Sequence, residues 1–375
     1  MNTIKKSVIG TSFAAVVVLI SACLANAHDG WIQSNVSRIF QGDVVYIDMQ
    51  FGNHQNMHRD YKLYASKWDK NVSTFHLHTP QNNAIDLEEG VIDIGMDETK
   101  ILGGGSVTYL DKNGYLVTSF PANEKGIYIA DVRQDTVVSY APERSIKCAK
   151  SIVGSVEPTK DVYGVPLQGF DKILGQVLEI VPMNDPTNLA VGDTLTFQVL
   201  FKGEPLADAE VSVIPRGKTL PPMGEPNPND MMADMDGMVS FTFTESNYHL
   251  IVVHVETMEA GTLNGKSYDF TKYTGDLTVI IRPAVAAPSN LRVLSTGRRS
   301  IGIRWEDNSN NETGFEIERA DGQEGPWALI ATTRPGAHIY IDTGLSSYTT
   351  YFYRARTVNS NGKSGYTNVV TATTR

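Results

Sequence analysis

Beyond residue 27 the chain is built of short runs in which apolar and polar residues alternate, each bounded by Gly, Asn, Asp or Pro. Val44-Val45-Tyr46-Ile47-Asp48-Met49, Gly126-Ile127-Tyr128-Ile129-Ala130-Asp131 and Thr194-Leu195-Thr196-Phe197-Gln198-Val199-Leu200 are representative. A period of two sends successive side chains to opposite faces, so these runs predict β-strands. Long amphipathic helical patterns are scarce. Turn signals arrive about every ten residues, which favours antiparallel sandwiches over alternating strand and helix. The segment around residues 164–176 breaks the rhythm, and Pro283-Ala284-Val285-Ala286-Ala287-Pro288 reads as a proline-stiffened linker. The predicted fold is all-β. Three consecutive antiparallel, immunoglobulin-like β-sandwich domains are expected at 28–170, 171–283 and 288–375, with 284–287 as the linker.

The first 27 residues stand apart. Lys5 and Lys6, the apolar run Ser12 to Ile20 and the ending Ala25-Asn26-Ala27 have the charge, length and small residues of a signal peptide. The apolar run is shorter than the ~20 residues a membrane span needs. Export to the periplasm or cell surface is expected. Ile20-Ser21-Ala22-Cys23 also reads as a lipobox, which would anchor the chain by a lipid on Cys23. Cleavage after Ala27 instead leaves Cys148 as the sole cysteine, with no intramolecular disulfide.

Composition narrows the function. Hydrophobic residues at 41% and charged residues at 20% describe a globular chain, neither a polytopic membrane protein nor a disordered one. With 42 acidic and 32 basic residues the net charge is -10, the wrong sign for phosphate backbones, so nucleic acid is not an expected partner. Gly-x-Ser-x-Gly and His-Glu-x-x-His motifs are missing, and Gly103-Gly104-Gly105-Ser106 lacks the lysine of a phosphate loop. A non-catalytic protein is expected.

The last 88 residues carry Pro288-Ser289-Asn290-Leu291, Ile303-Arg304-Trp305, Phe315-Glu316-Ile317-Glu318-Arg319 and Thr349-Thr350-Tyr351-Phe352-Tyr353-Arg354. This stretch resembles a fibronectin type III domain. Trp305 is then the plug of the core, Phe315 and Ile317 point inward, and Tyr351 occupies the place of a tyrosine corner, its hydroxyl tied back to the backbone. The resemblance implies a spacer or a surface for weak protein or glycan contacts.

The remainder opens with His28-Asp29-Gly30-Trp31-Ile32 and Gly42-Asp43-Val44. It continues with Leu178-Glu179-Ile180-Val181-Pro182 and Val191-Gly192-Asp193-Thr194-Leu195, and then with Lys202-Gly203 and Asp236-Gly237 as turn and hairpin signals. Residues 28–283 resemble a family of exported bacterial proteins with a domain of unknown function, associated with periplasmic nickel or cobalt uptake. That resemblance implies a transition-metal ion as ligand and a membrane metal transporter as partner.

Five of the eight histidines, His28, His54, His58, His76 and His78, fall within residues 28–78 and form the candidate metal-binding set. Cleavage after Ala27 would give His28 both an α-amine and an imidazole, two nitrogens able to chelate one ion. His76 and His78 are two apart on a predicted strand, so their rings share one face while Phe75 and Leu77 take the other. His54 and His58 belong to a predicted loop. Imidazole suits nickel, cobalt, copper or zinc, and Met232, Met235 and Met238, spaced by three on a predicted long loop, would suit Cu(I). His249 and His254 are expected to serve packing. The expected function is an exported, non-catalytic metal-binding accessory protein in nickel or cobalt uptake or copper handling. The alternative is an adhesion or scaffold protein built of β-sandwich modules.

Overall fold

The strand Gly126–Val137 is buried along most of its length on both faces, and this explains the architecture. Ile127 and Ile129 enter one hydrophobic core with Cys148, Ile152, Phe197 and Leu277. Tyr128, Ala130 and Val132 enter another with Ile47, Met49, Phe75 and Leu77. A strand apolar at both parities needs a layer on each side, and the chain supplies two. The computed structural model describes residues 29–52, 68–94, 115–158 and 162–375 apart from 164, 222–224, 226, 311 and 360–361, together with 97–98, 101–102, 105–106 and 111–112.

Among the described residues the elements are strands and two short 3-10 turns, as the all-β prediction requires. Nine strands form a central sheet. From one edge they run Asp230–Met232, Glu210–Pro215, Tyr248–Thr257, Phe270–Ile280, Glu143–Val156, Gly126–Val137, Ser73–His78 and Ala84–Asp86, with Arg38–Phe40 beside the end of Glu143–Val156. One outer sheet holds Asp29–Ser34, Val44–Gly52, Tyr115–Pro121 and Ile92–Asp93. The other holds Leu178–Pro182, Thr194–Phe201, Glu204–Pro205 and Met238–Thr242. The first two sandwiches thus share their middle layer. Glu143–Val156 pairs in parallel with Phe270–Ile280, from Glu143 opposite Phe270 to Ser151 opposite Thr278, so hydrogen bonding reconnects what the interruption near residue 170 separates in sequence.

The opening motif has a packing role. Trp31 is fully buried against Ile214, Leu250 and Val252, while the adjacent Ile32 enters the core of the first sandwich. A Cβ on Gly30 would meet the Trp68 ring at 2.5 Å, so glycine is required by that close approach. Thr278 Oγ1 donates to the Ile32 carbonyl, tying the first strand to the second half of the chain.

Two turn signals resolve differently. Lys202 and Gly203, at φ 54° and 85°, make the two-residue turn that pairs Phe201 with Glu204. Asp236-Gly237 is also a tight turn, with Asp234 Oδ1 accepting from the Asp236 and Met238 amides, both at 2.9 Å. It does not close a hairpin, because Asp230–Met232 belongs to the central sheet and Met238–Thr242 to the outer one. The turn carries the chain between layers, and Met231 packs against the core while Met232 and Met235 are exposed.

The C-terminal module has a core of its own, centred on Trp305, Phe315, Ile317 and Tyr353. It is sandwiched between a three-stranded and a five-stranded sheet. Tyr351 fulfils its expected role, its hydroxyl accepting from the Ser346 amide at 3.2 Å.

Candidate functional site

His76 and His78 lie on the strand Ser73–His78 as predicted, half-buried on one face, with Phe75 and Leu77 in the core on the other. Their ring centroids are 6.5 Å apart. His78 is held: its Nε2 lies 2.7 Å from Asp131 Oδ1, and Asp131 Oδ2 accepts from Arg133 Nε at 2.9 Å. Burial would push the Asp131 carboxyl up, but the hydrogen bonds and charges of His78 and Arg133 outweigh it and hold the group below the usual carboxylate range.

The network continues inward. Arg133 Nη2 donates to the Leu174 carbonyl at 3.0 Å. The Leu174, Gly175 and Gln176 amides converge on the Glu179 carboxylate at 2.7, 3.0 and 3.1 Å, and Lys150 Nζ approaches it at 3.0 Å. Burial pushes the Lys150 ammonium below its usual range while the Glu179 charge opposes the shift. Four hydrogen bonds, one from Arg133 and three to Glu179, therefore anchor the end of the 165–176 segment. Arg38 fixes its other end, donating from Nη1 to the Val162 and Val165 carbonyls at 3.0 and 2.6 Å.

His28, His54 and His58 lie outside the described residues. Asp29 pairs with Gly52 in the outer sheet that covers the Phe75 face, whereas His76 and His78 are on the opposite face of the central sheet. Among the described residues no group of three or more His, Cys, Asp or Glu side chains is arranged to hold a metal, so His76 and His78 do not complete a centre by themselves. His249 packs as expected, edge-on to Phe243 at 4.9 Å, and burial pushes its pKa down to about 4. His254, in contrast, is exposed, because it leaves the strand Tyr248–Thr257 on the opposite parity. Cys148 is a free, buried thiol whose pKa burial pushes up to about 11, which makes it inert at neutral pH.

A family model described as a domain of unknown function, DUF4198, matches residues 25–257, more than half of the chain. The chain belongs to that family. A fibronectin type III model matches residues 286–373. An alpha-amylase of Niallia circulans is 35% identical over 94 residues, 24% of this chain, and the chain spans 7% of that relative's length. Among solved structures, a Fn3-like protein from Clostridium thermocellum is 22% identical, covering 24% of this chain and 91% of its own at a TM-score of 0.22. Titin domains A168-A170 are 11% identical, covering 93% of this chain and 99% of their own at a TM-score of 0.26.

The DUF4198 portion contains every member of the His78 to Arg133 pairing and of the Lys150–Glu179 pair. Sequence reasoning missed Asp131, Arg133, Lys150 and Glu179. Part of their signal was present, since Glu179 sits between apolar neighbours in its strand, and such charged residues are retained when paired.

Proposed function

We propose that this DUF4198 protein is an exported, non-catalytic scaffold of β-sandwich modules, with the fibronectin type III domain as its contact module. The observation that carries the reading is the shared central sheet. Two sandwiches with one middle layer, plugged by Trp31 and cross-linked by Lys150–Glu179, form a stiff platform from which a third module with its own core extends.

A second reading is a metal-binding accessory protein for nickel, cobalt or copper, working with a membrane metal transporter. It is favoured by His76 and His78 sharing one strand face and by the carboxylate that orients His78, an outer-sphere arrangement common to histidine ligands. It needs further donors, for which His28, His54 and His58 are the candidates. Calorimetric titration of the mature chain with Ni²⁺, Co²⁺, Cu²⁺ and Zn²⁺ separates the two. Absence of stoichiometric binding tighter than about 10 μM, or about -6.8 kcal/mol, supports the scaffold. One tight equivalent that is lost in His76→Ala and His78→Ala, and in a chain carrying one extra residue before His28, replaces it with the metal reading.

A further inference from the structure

Beside the His78 network a cleft of about 430 Å³ opens between the end of the strand Ser73–His78, the start of Gly126–Val137 and the 166–172 wall. That size suits a small organic molecule. The floor is apolar, formed by Ile127, Ile129 and Leu167. The charged side chains lining it are Lys125 and Lys172, with the His78 imidazole beside them, and among the described residues no carboxylate lines it, although the chain as a whole carries a net charge of -10.

From this we infer that the cleft binds a small organic anion, its apolar body on the Ile127, Ile129 and Leu167 floor and its acidic head between Lys125, Lys172 and His78. Asp131, the buried carboxylate in contact with His78, is also paired with Arg133 and so is matched within the protein. Lys125 has only an exposed, 3.4 Å pairing with Glu157, which an entering anion can displace at little cost. Thr79, also on the lining, is 7% exposed, and its hydroxyl has no hydrogen-bond partner among the described residues.

The cleft is preformed. Its wall is pinned at one end by Arg38 and at the other by Arg133 and Glu179, so little ordering is left for binding to supply. Gly126 sits at φ +132°, where a Cβ would strike Pro80 at 2.8 Å, so the bend of the floor depends on glycine. This ligand site goes beyond the scaffold reading and stands or falls separately from it.

The test is titration of the full mature chain with benzoate, hexanoate and phenyl phosphate against neutral benzamide, read by calorimetry and by amide chemical shifts. The anions are expected to bind at least tenfold more tightly than benzamide and to move the Thr79, Gly126 and Gly169 amides. Lys172→Ala and Lys125→Ala should each weaken binding about fivefold to tenfold, while Lys266→Ala, distant on an exposed hairpin, should leave it unchanged. Preference for carboxylate or for phosphate identifies the head group. The inference is overturned if no anion binds below about 5 mM, if benzamide binds equally well, or if the double variant Lys125→Ala/Lys172→Ala retains the affinity with its fold intact by circular dichroism.

Discussion

Lys150 and Glu179 meet at 3.0 Å with both side chains excluded from water, one on the central sheet and the other on the outer sheet of the second module. Glu179 also collects three backbone amides, so the carboxylate is fully satisfied, and a second link runs from Arg133 to the Leu174 carbonyl. Removing one member of such a pair strands a buried charge, which costs roughly 3–5 kcal/mol, whereas exchanging both for apolar groups of similar volume is often neutral. Glu179→Gln and Lys150→Met should each lower the unfolding free energy measured in urea by about that amount. The double variant Lys150→Met/Glu179→Leu should recover most of it. A double variant no more stable than the singles would show that the pair contributes more than mutual neutralisation.

His249 gives the fold a distinct acid sensitivity. Its folded pKa of about 4 lies below the ordinary value because burial disfavours the imidazolium. Between those two values the unfolded chain binds a proton that the folded chain refuses. This contribution is therefore complete above about pH 6.5 and is lost as pH falls towards about 4. It amounts to at most about 3 kcal/mol. Urea unfolding at pH 7.5 and pH 5 should show a drop that His249→Phe, which keeps the edge-on contact with Phe243, reduces. An unchanged drop in that variant would assign the sensitivity to other groups.

The strands were legible because the period-two pattern and turn residues act locally. Ile127 and Tyr128 alternate, and Lys202-Gly203 turns, for reasons contained within a few residues. The sharing of a sheet was not legible. Glu143–Val156 pairs with a strand more than a hundred residues later, and parallel pairing leaves no local turn signature. Yet Ala130, Ile129 and Tyr128 in succession already announce burial on both faces, which a single sandwich does not provide. The histidine clustering correctly placed His76 and His78 on one face. It could not disclose that Asp131 claims one nitrogen of His78, because that contact spans 53 residues.

Trp31 offers a direct probe of how the first two modules are joined. Its burial among Ile214, Leu250 and Val252 makes the first strand a plug in the second half of the chain. Trp31→Ala removes a large buried ring and should cost about 3–5 kcal/mol. Gly30→Ala would push against the Trp68 ring and should cost about 1–3 kcal/mol. Hydrogen exchange should accelerate in Trp31→Ala along the parallel pairing of Glu143–Val156 with Phe270–Ile280. Unchanged protection there would mean that the sheet holds without the plug.

The fibronectin type III module should report on its own tyrosines without involving the rest. Among the described residues its core runs from Leu291 to Ala372, so calorimetry of the full chain should resolve its transition from that of the shared-sheet body. Within it Tyr351 accepts a hydrogen from a backbone amide, while Tyr353, fully buried, donates to Asp342 at 2.9 Å beside Arg319. A hydrogen bond to a charged group contributes about 1.5–3 kcal/mol and a neutral one about 0.5–1.5 kcal/mol. Tyr353→Phe should therefore lower the module's transition further than Tyr351→Phe, with each kcal/mol lowering Tm by roughly 4–8 °C in a domain of this size. The body's transition should stay in place in both variants. A shift of both transitions together would show that the module and the platform unfold as one unit.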